Sequence, residues 1–136
     1  MSPRADDCGR IQARTRLEHA KKFHEVSELA ATEGGDIAAS RSVSAALAVL
    51  AGIAASDAAC CARLGHRSRG QNHHQAIDLL ARVSPGGPAA ATHLKQLLDL
   101  KDGAHYGVID VTHKELTSAL RHSRALIDFA EQRLRN

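Results

Sequence analysis

The feature that most constrains the fold of this chain is a long, alanine-rich apolar run at residues 45–62. The run is long enough to cross a membrane, but it contains Gly52, Ser56 and Asp57. An aspartate in the middle of a membrane span costs roughly 2.5–3.5 kcal/mol on insertion scales. We therefore expect the run to form the central, buried helix of a soluble bundle, with no membrane span.

The rest of the composition favours a single all-α domain over residues 1–136, without internal repeats. Proline is scarce, at 3 residues, and the helix-favouring residues alanine, leucine and arginine are abundant. The aromatic residues are one tyrosine and two phenylalanines. A core built mostly from alanine and leucine predicts close approach of the helices.

Turn signals and the spacing of apolar residues predict an antiparallel bundle of five helices and no strand. The predicted helices cover residues 12–32, 37–64, 71–83, 88–107 and the chain from 112 onward. Asp36 is the expected N-cap of the second helix, and Thr112 with Glu115 forms an expected capping box on the fifth. Residues 1–9 are expected to form a loose tail.

Helical phase predicts which side chains of the first two helices face the core. The expected buried stripe of the first helix consists of Phe23, Val26, Leu29 and Ala30. On the second helix, Leu50 and Ile53 are expected in the core, in line with Asp57.

The cysteines indicate a reducing compartment. Cys8, Cys60 and Cys61 are odd in number and include an adjacent pair, which is not the pattern of a disulfide framework. The first residues carry no apolar run typical of a signal peptide. We therefore expect a cytoplasmic protein in which the adjacent cysteines are buried and unreactive.

Polar residues on apolar faces predict a functional cluster. Short loops make consecutive helices antiparallel, so the second helix should end where the third begins and the fourth ends. The residues expected to meet at this pole are Asp57, His73, Lys101 and His105, beneath Arg67 and Arg69. Burial of such groups costs about 1–3 kcal/mol each unless they are paired. The cluster is either a chemical site or a structural network, for instance under a subunit interface.

Two further features allow more than one interpretation. Arg67 and Arg69 suit phosphate oxygens, although positive charge after a helix C-terminus is also favourable without a ligand. The adjacent cysteines and nearby histidines carry metal-ligating atoms, but their spacing matches no zinc module. No metal and no other cofactor is predicted.

Two segments resemble the HEPN superfamily of small helical bundles. They are residues 45–57 (AALAVLAGIAASD), followed by His73, and residues 97–107 (LLDLKDGAHYG), and the resemblance covers roughly residues 37–108. It implies a homodimer with a metal-independent ribonuclease site, in which His105 is the acid or base. Lys101 stands where the family has an arginine that holds the phosphate, and Asp102 at the polar position. Arg67, Arg69 and Tyr106 are the expected RNA contacts.

The resemblance and the residues together give one leading hypothesis and two alternatives. The leading hypothesis is an RNA-binding or degenerate ribonuclease component of a bacterial toxin–antitoxin or defence-type system. Its expected partners are a second copy of the chain, RNA and an antitoxin protein. The first alternative is a non-enzymatic dimeric interaction bundle, and the second is a bundle that binds a small ligand or a metal.

Overall fold

The described residues form five helices and one short strand pair. The computed structural model describes residues 5–69, 72–105 and 110–135, with the backbone alone for Ala5 and residues 102–105. The helices are α1 (Arg10–Ala31), α2 (Ile37–Arg63), α3 (His73–Ala81), α4 (Gly87–His105) and α5 (His113–Arg135). The strands β1 (Ala5–Asp7) and β2 (His66–Ser68) pair antiparallel. The all-α prediction is confirmed, whereas the predictions of no strand and of a loose tail fail at residues 5–9.

Local capping sets the start of two helices where the sequence predicts it. The Asp36 carboxylate accepts a hydrogen bond from the Ala39 N–H at 3.0 Å. At α5, the Thr112 hydroxyl accepts from the Glu115 N–H at 3.1 Å, and the Glu115 carboxylate accepts from the Thr112 N–H at 2.9 Å. These bonds satisfy N–H groups that the first turn of a helix leaves without partners.

Helix α2 is central and packs against α1, α4 and α5. The helix is long and apolar enough to cross a membrane, but 72% of its most apolar 18-residue segment is buried inside the bundle. Gly52 allows the close packing. A Cβ at this position would lie 2.4 Å from Leu97 Cδ1 on α4 and 3.2 Å from Leu126 Cδ1 on α5. The central position of α2 agrees with the prediction from the sequence.

The face that α1 turns to the core differs from the predicted one. Val26 and Leu29 are 40% and 61% exposed, so the predicted stripe is wrong at these two positions, whereas Phe23 packs against the core. The buried residues of α1 are Ala13, Leu17, Ala20, His24 and Ser27. Hydropathy misses this face because two of its members are polar and find their partners only in the folded state.

Hydrogen bonds to neighbouring helices satisfy both of these polar residues. The Ser27 hydroxyl donates to the Ser44 carbonyl oxygen at 2.6 Å, and the Ser44 hydroxyl donates to the Ser27 carbonyl oxygen at 2.7 Å. His24 Nδ1 lies 2.6 Å from the Ser123 hydroxyl of α5. Paired in this way, the polar groups avoid the cost of burial without a partner.

Burial of His24 makes the stability of the fold depend on pH. Desolvation lowers the pKa of His24 below its ordinary value of 6.5, and desolvation together with His93 lowers the pKa of His122. The unfolded chain therefore binds more protons than the folded one as pH falls through this range. We expect the free energy of unfolding to decrease as pH drops below about 6.5.

Urea unfolding between pH 5 and 7.5 measures this dependence. His24→Gln offers Ser123 a hydrogen-bonding group that does not titrate, so this variant should lose stability less steeply in acid than the natural protein. The control is His113→Gln, at an exposed position, which should leave the slope unchanged. A natural protein that becomes more stable in acid would contradict the assigned direction.

Candidate functional site

The structure divides the predicted polar cluster between two regions of the bundle. The prediction required α3 to span the full length of the molecule, but α3 has 9 residues and α2 has 27. At 1.5 Å per residue, α3 is roughly 13 Å long and α2 roughly 40 Å. The contacts show that α4 runs back toward the beginning of α2, because Leu97 packs at Gly52 and Lys101 lines the same groove as Ala45. The prediction of one shared network is wrong for this reason.

Asp57 lies at one of these regions, held by two arginines from different elements. Arg16 of α1 donates through Nη2 at 2.9 Å and through Nε at 3.2 Å to Asp57 Oδ2. Arg67 of β2 donates through Nη1 to the same oxygen at 3.3 Å. Asp57 thus lies beneath Arg67 as predicted, while Arg16 is a partner that the sequence analysis missed. We call these three residues the Asp57 cluster.

The Asp57 cluster and the neighbouring Cys60 do not form a reactive pair. Burial raises the pKa of Asp57, and the charges of Arg16 and Arg67 oppose that rise. Burial, and next the charge of Asp57, raises the pKa of the Cys60 thiol to about 12. A thiol that stays protonated near neutral pH is a poor nucleophile and a poor metal ligand.

A short strap made of β1 and Cys8 lies beside the Asp57 cluster. Cys8 and Cys61 form a disulfide, so the prediction of three reduced cysteines is wrong for the folded chain. The Cys8 N–H donates to the Gly65 carbonyl oxygen at 2.9 Å, and Asp6 is paired in register with Arg67. Sequence spacing missed this bridge because Cys8 and Cys61 meet only when β1 folds back.

The two predicted phosphate-binding arginines both lie next to carboxylates. Arg67 contacts Asp57, and Arg69 Nε lies 3.2 Å from Asp6 Oδ1 of β1. More than half of the Arg69 side chain and about a third of the Arg67 side chain remain exposed. Their charges are thus partly balanced within the chain while the strap is closed.

The other predicted site residues belong to α3, to α4 and to the segment that follows α4. His73 is the first residue of α3, and Lys101 lies along α4 beside the N-terminal half of α2. Neither is among the groups that bond to Asp57 in the described part of the chain. His105 ends α4 and only its backbone is described, while Tyr106 lies outside the described residues. The roles assigned to these residues stay predictions.

An exposed apolar stripe runs along α2 toward the Asp57 cluster. Its members are Ala39, Val43, Ala46, Leu50 and Ile53, and their spacing alternates between four and three residues. Val43 is 54% exposed and Leu50 is 44% exposed, so the prediction that Leu50 faces the core is wrong. The next residue in this spacing is Asp57. We call these five residues the α2 stripe.

A groove of about 400 Å³ lies along the α2 stripe, between α2 and α4. Leu50, Ile53 and Leu100 contribute apolar surface to it, and Lys101 adds a positive charge. The alternation of four and three residues is the heptad spacing that packs one helix against another. The arrangement therefore suits a helical partner, with a basic group at the edge of the contact.

Two histidines that the sequence analysis did not single out meet between α4 and α5. His93 Nδ1 and His122 Nδ1 lie 2.9 Å apart, with ring centroids separated by 5.1 Å. A hydrogen bond between these nitrogens needs a proton on one of them and a free lone pair on the other. Within the described ranges, no group of three or more histidine, cysteine or acidic residues is arranged to hold a metal ion.

Comparison with models of known protein families, with curated proteins and with solved structures finds no match to this chain. We therefore infer function from the α2 stripe, the Asp57 cluster and the basic groups beside them.

Proposed function

We propose that the protein is an RNA-binding homodimer whose two copies meet along the α2 stripe. The observation that carries the proposal is the combination of this exposed apolar stripe with basic residues at its edges. Lys101 flanks the stripe on the α4 side, and Arg67 with Arg16 lies beyond its C-terminal end. Apolar contact would hold the two copies together, and the basic edge would bind phosphate.

The spacing of the stripe supports a second copy of the chain as the partner. A heptad pattern on one helix packs best against the same pattern on another helix, and a two-fold axis matches one patch with itself. Alanines at positions 39 and 46 alternate with Val43 and Leu50. Small and large side chains in alternation interdigitate when a copy of the same surface faces them.

Charge supports RNA as the ligand of the dimer. The chain carries a net charge of +3 with histidines neutral, and a dimer would bring a second Lys101 to the same face. Lysine and arginine contacts with phosphates supply most of the affinity for nucleic acid that does not depend on sequence. On the resemblance to HEPN proteins, we extend this proposal to RNA cleavage by His105 and to a role in a toxin–antitoxin or defence-type system.

Leu50→Arg tests the dimer. Leu50 is half-exposed in the single chain, so arginine there should leave the fold intact and place two like charges in the contact between copies. We expect sedimentation equilibrium at micromolar concentration to show a dimer for the natural protein and a monomer for Leu50→Arg. The matched control is Leu29→Arg on α1, which replaces a more exposed leucine away from the stripe and should remain dimeric. A monomeric natural protein would contradict the proposal.

RNA affinity and cleavage need their own variants. Lys101→Ala should weaken binding of single-stranded RNA and lower the dependence of affinity on salt, since fewer counterions are released. The control is Lys95→Ala on the same helix, a position that is exposed and paired with Asp99. If His105 catalyses cleavage, His105→Ala should abolish it without lowering RNA affinity to the same extent. A dimer with no RNA affinity would favour the non-enzymatic interaction bundle.

A cytoplasmic location remains part of the proposal, and it bears on the disulfide. Cytosolic thiol systems keep most cysteine pairs reduced. Alkylation of the protein in intact cells, followed by mass spectrometry of the peptide that contains Cys8, would give the state of this cysteine directly.

A further inference from the structure

The strap has little to hold it in place besides the disulfide. Strand β1 consists of Ala5, Asp6 and Asp7, none of which carries a large apolar side chain. A strand pair of this size is marginally stable by itself in water. Within the described residues, its other attachments include the bond from Cys8 N–H to the Gly65 carbonyl oxygen and the ion pair between Asp6 and Arg69. The Cys8–Cys61 bridge is therefore the strongest link between the strap and α2.

Strand β2 connects the strap to the Asp57 cluster. Arg67 lies in β2, with Asp6 as its partner in register, and its guanidinium reaches Asp57. Asp57 does not depend on Arg67 alone, because Arg16 donates two hydrogen bonds to the same carboxylate oxygen. Arg67 is thus the arginine that the cluster can release while the Asp57 carboxylate keeps a charged partner.

The two cysteines of the bridge differ in exposure. Cys8 is partly exposed, whereas Cys61 is 2% exposed. A thiolate from outside would attack the Cys8 sulfur, and Cys61 would leave as a thiolate and take up a proton. Cys60 is 2% exposed and mostly protonated, so it is poorly placed to intervene.

We propose that the Cys8–Cys61 disulfide is a redox latch that controls the availability of Arg67 and Arg69 for RNA phosphates. This inference rests on the RNA binding proposed above and adds its regulation. A dithiol reductant opens the latch: its first thiolate forms a mixed disulfide with Cys8. Its second thiol then displaces Cys8, which leaves two protein thiols and one oxidised dithiol. Release of β1 separates Arg69 from Asp6 and loosens β2. Arg67 then leaves the Asp57 carboxylate and binds an RNA phosphate.

The first test follows the latch without RNA. Hydrogen exchange of the full chain is measured with and without a dithiol reductant, together with alkylation to count free thiols. We expect the amides of Cys8 and of β2 to lose their protection on reduction, while those in the middle of α2 stay protected. Unchanged protection of the strap in a chain whose thiols are all shown to be free would overturn the latch.

The second test measures control of RNA affinity. Cys8→Ser removes the bridge permanently, and Cys60→Ala serves as the matched control that keeps it. One freed arginine–phosphate contact corresponds to about a tenfold gain in affinity. We expect Cys8→Ser and the reduced natural protein to bind RNA about tenfold more tightly than the oxidised protein. Adding both Arg67→Ala and Arg69→Ala to Cys8→Ser should remove most of that gain.

The outcomes separate the two proposals. Equal RNA affinity in the oxidised and reduced states would overturn control by the latch and leave RNA binding standing. No RNA affinity in any state would overturn the proposed function, and with it the regulation, whereas the exchange measurement would still report whether reduction opens the strap.

Discussion

Leu97→Ala should lower the free energy of unfolding by roughly 2–5 kcal/mol, because it empties space at the centre of the contact between α2, α4 and α5. Leu97 is fully buried. Its Cδ1 atom lies 2.4 Å from the ideal position of a Cβ on Gly52, which is too close for both atoms to be present without a shift. The side chain fills a space that exists only because residue 52 has no side chain.

The effect of Gly52→Ala on the free energy of unfolding should therefore depend in sign on the residue at position 97. In the natural protein the added methyl overlaps Leu97 and costs roughly 1–3 kcal/mol, as overpacked cores do. In the Leu97→Ala background the same methyl enters the vacated space, and alanine is about 1 kcal/mol better than glycine inside a helix. The second substitution should then be stabilising.

A double-mutant cycle by urea denaturation measures this coupling. The control is Gly34→Ala with and without Leu97→Ala, since a Cβ at Gly34 meets nothing within 4 Å. The effects at positions 34 and 97 should add. Additive effects at positions 52 and 97 would show that these residues do not compete for one space.

Reduction of the Cys8–Cys61 bridge should also lower the free energy of unfolding by a large amount. The two cysteines are 53 residues apart in the chain, and closing a loop of this length removes about 4 kcal/mol of chain entropy from the unfolded state. The free energy of unfolding should fall by up to about 4 kcal/mol when the bond is reduced. Most of this loss arises in the unfolded chain, so helix content before unfolding should be nearly unchanged.

Urea unfolding followed by circular dichroism, with and without a dithiol, tests the expectation. Cys8→Ser should resemble the reduced natural protein and should not respond to the reductant. Cys60→Ala keeps the bridge and should respond as fully as the natural protein does. An unchanged unfolding midpoint after complete reduction, verified by alkylation, would show that the bond contributes no stability.

The helices were predictable because their signals are local. Asp36 and the pair Thr112 and Glu115 mark helix starts by hydrogen bonds that span three residues, and the structure contains those bonds. The face of α1 was not predictable from hydropathy. Its core side includes His24 and Ser27, whose partners Ser123 and Ser44 lie on other helices.

The candidate site was only partly predictable for a related reason. Burial of Asp57 and its contact with Arg67 followed from helical phase and from the short loop that follows α2. The grouping with Lys101 required the direction of α4 relative to α2, which only the contacts of the folded chain reveal. Neither Arg16 nor Cys8 carried a local signal, because Arg16 meets Asp57, and Cys8 meets Cys61, across a long separation in sequence.

The reciprocal bonds between Ser27 and Ser44 affect how this sequence can vary. Each hydroxyl serves the other helix's backbone, so a change at one position leaves a group on the opposite helix without its partner. Replacing both serines with alanine removes two donors together, whereas a larger residue at either position would force α1 and α2 apart. Chains related to this one should therefore keep positions 27 and 44 small, so that α1 and α2 can approach as closely as they do here.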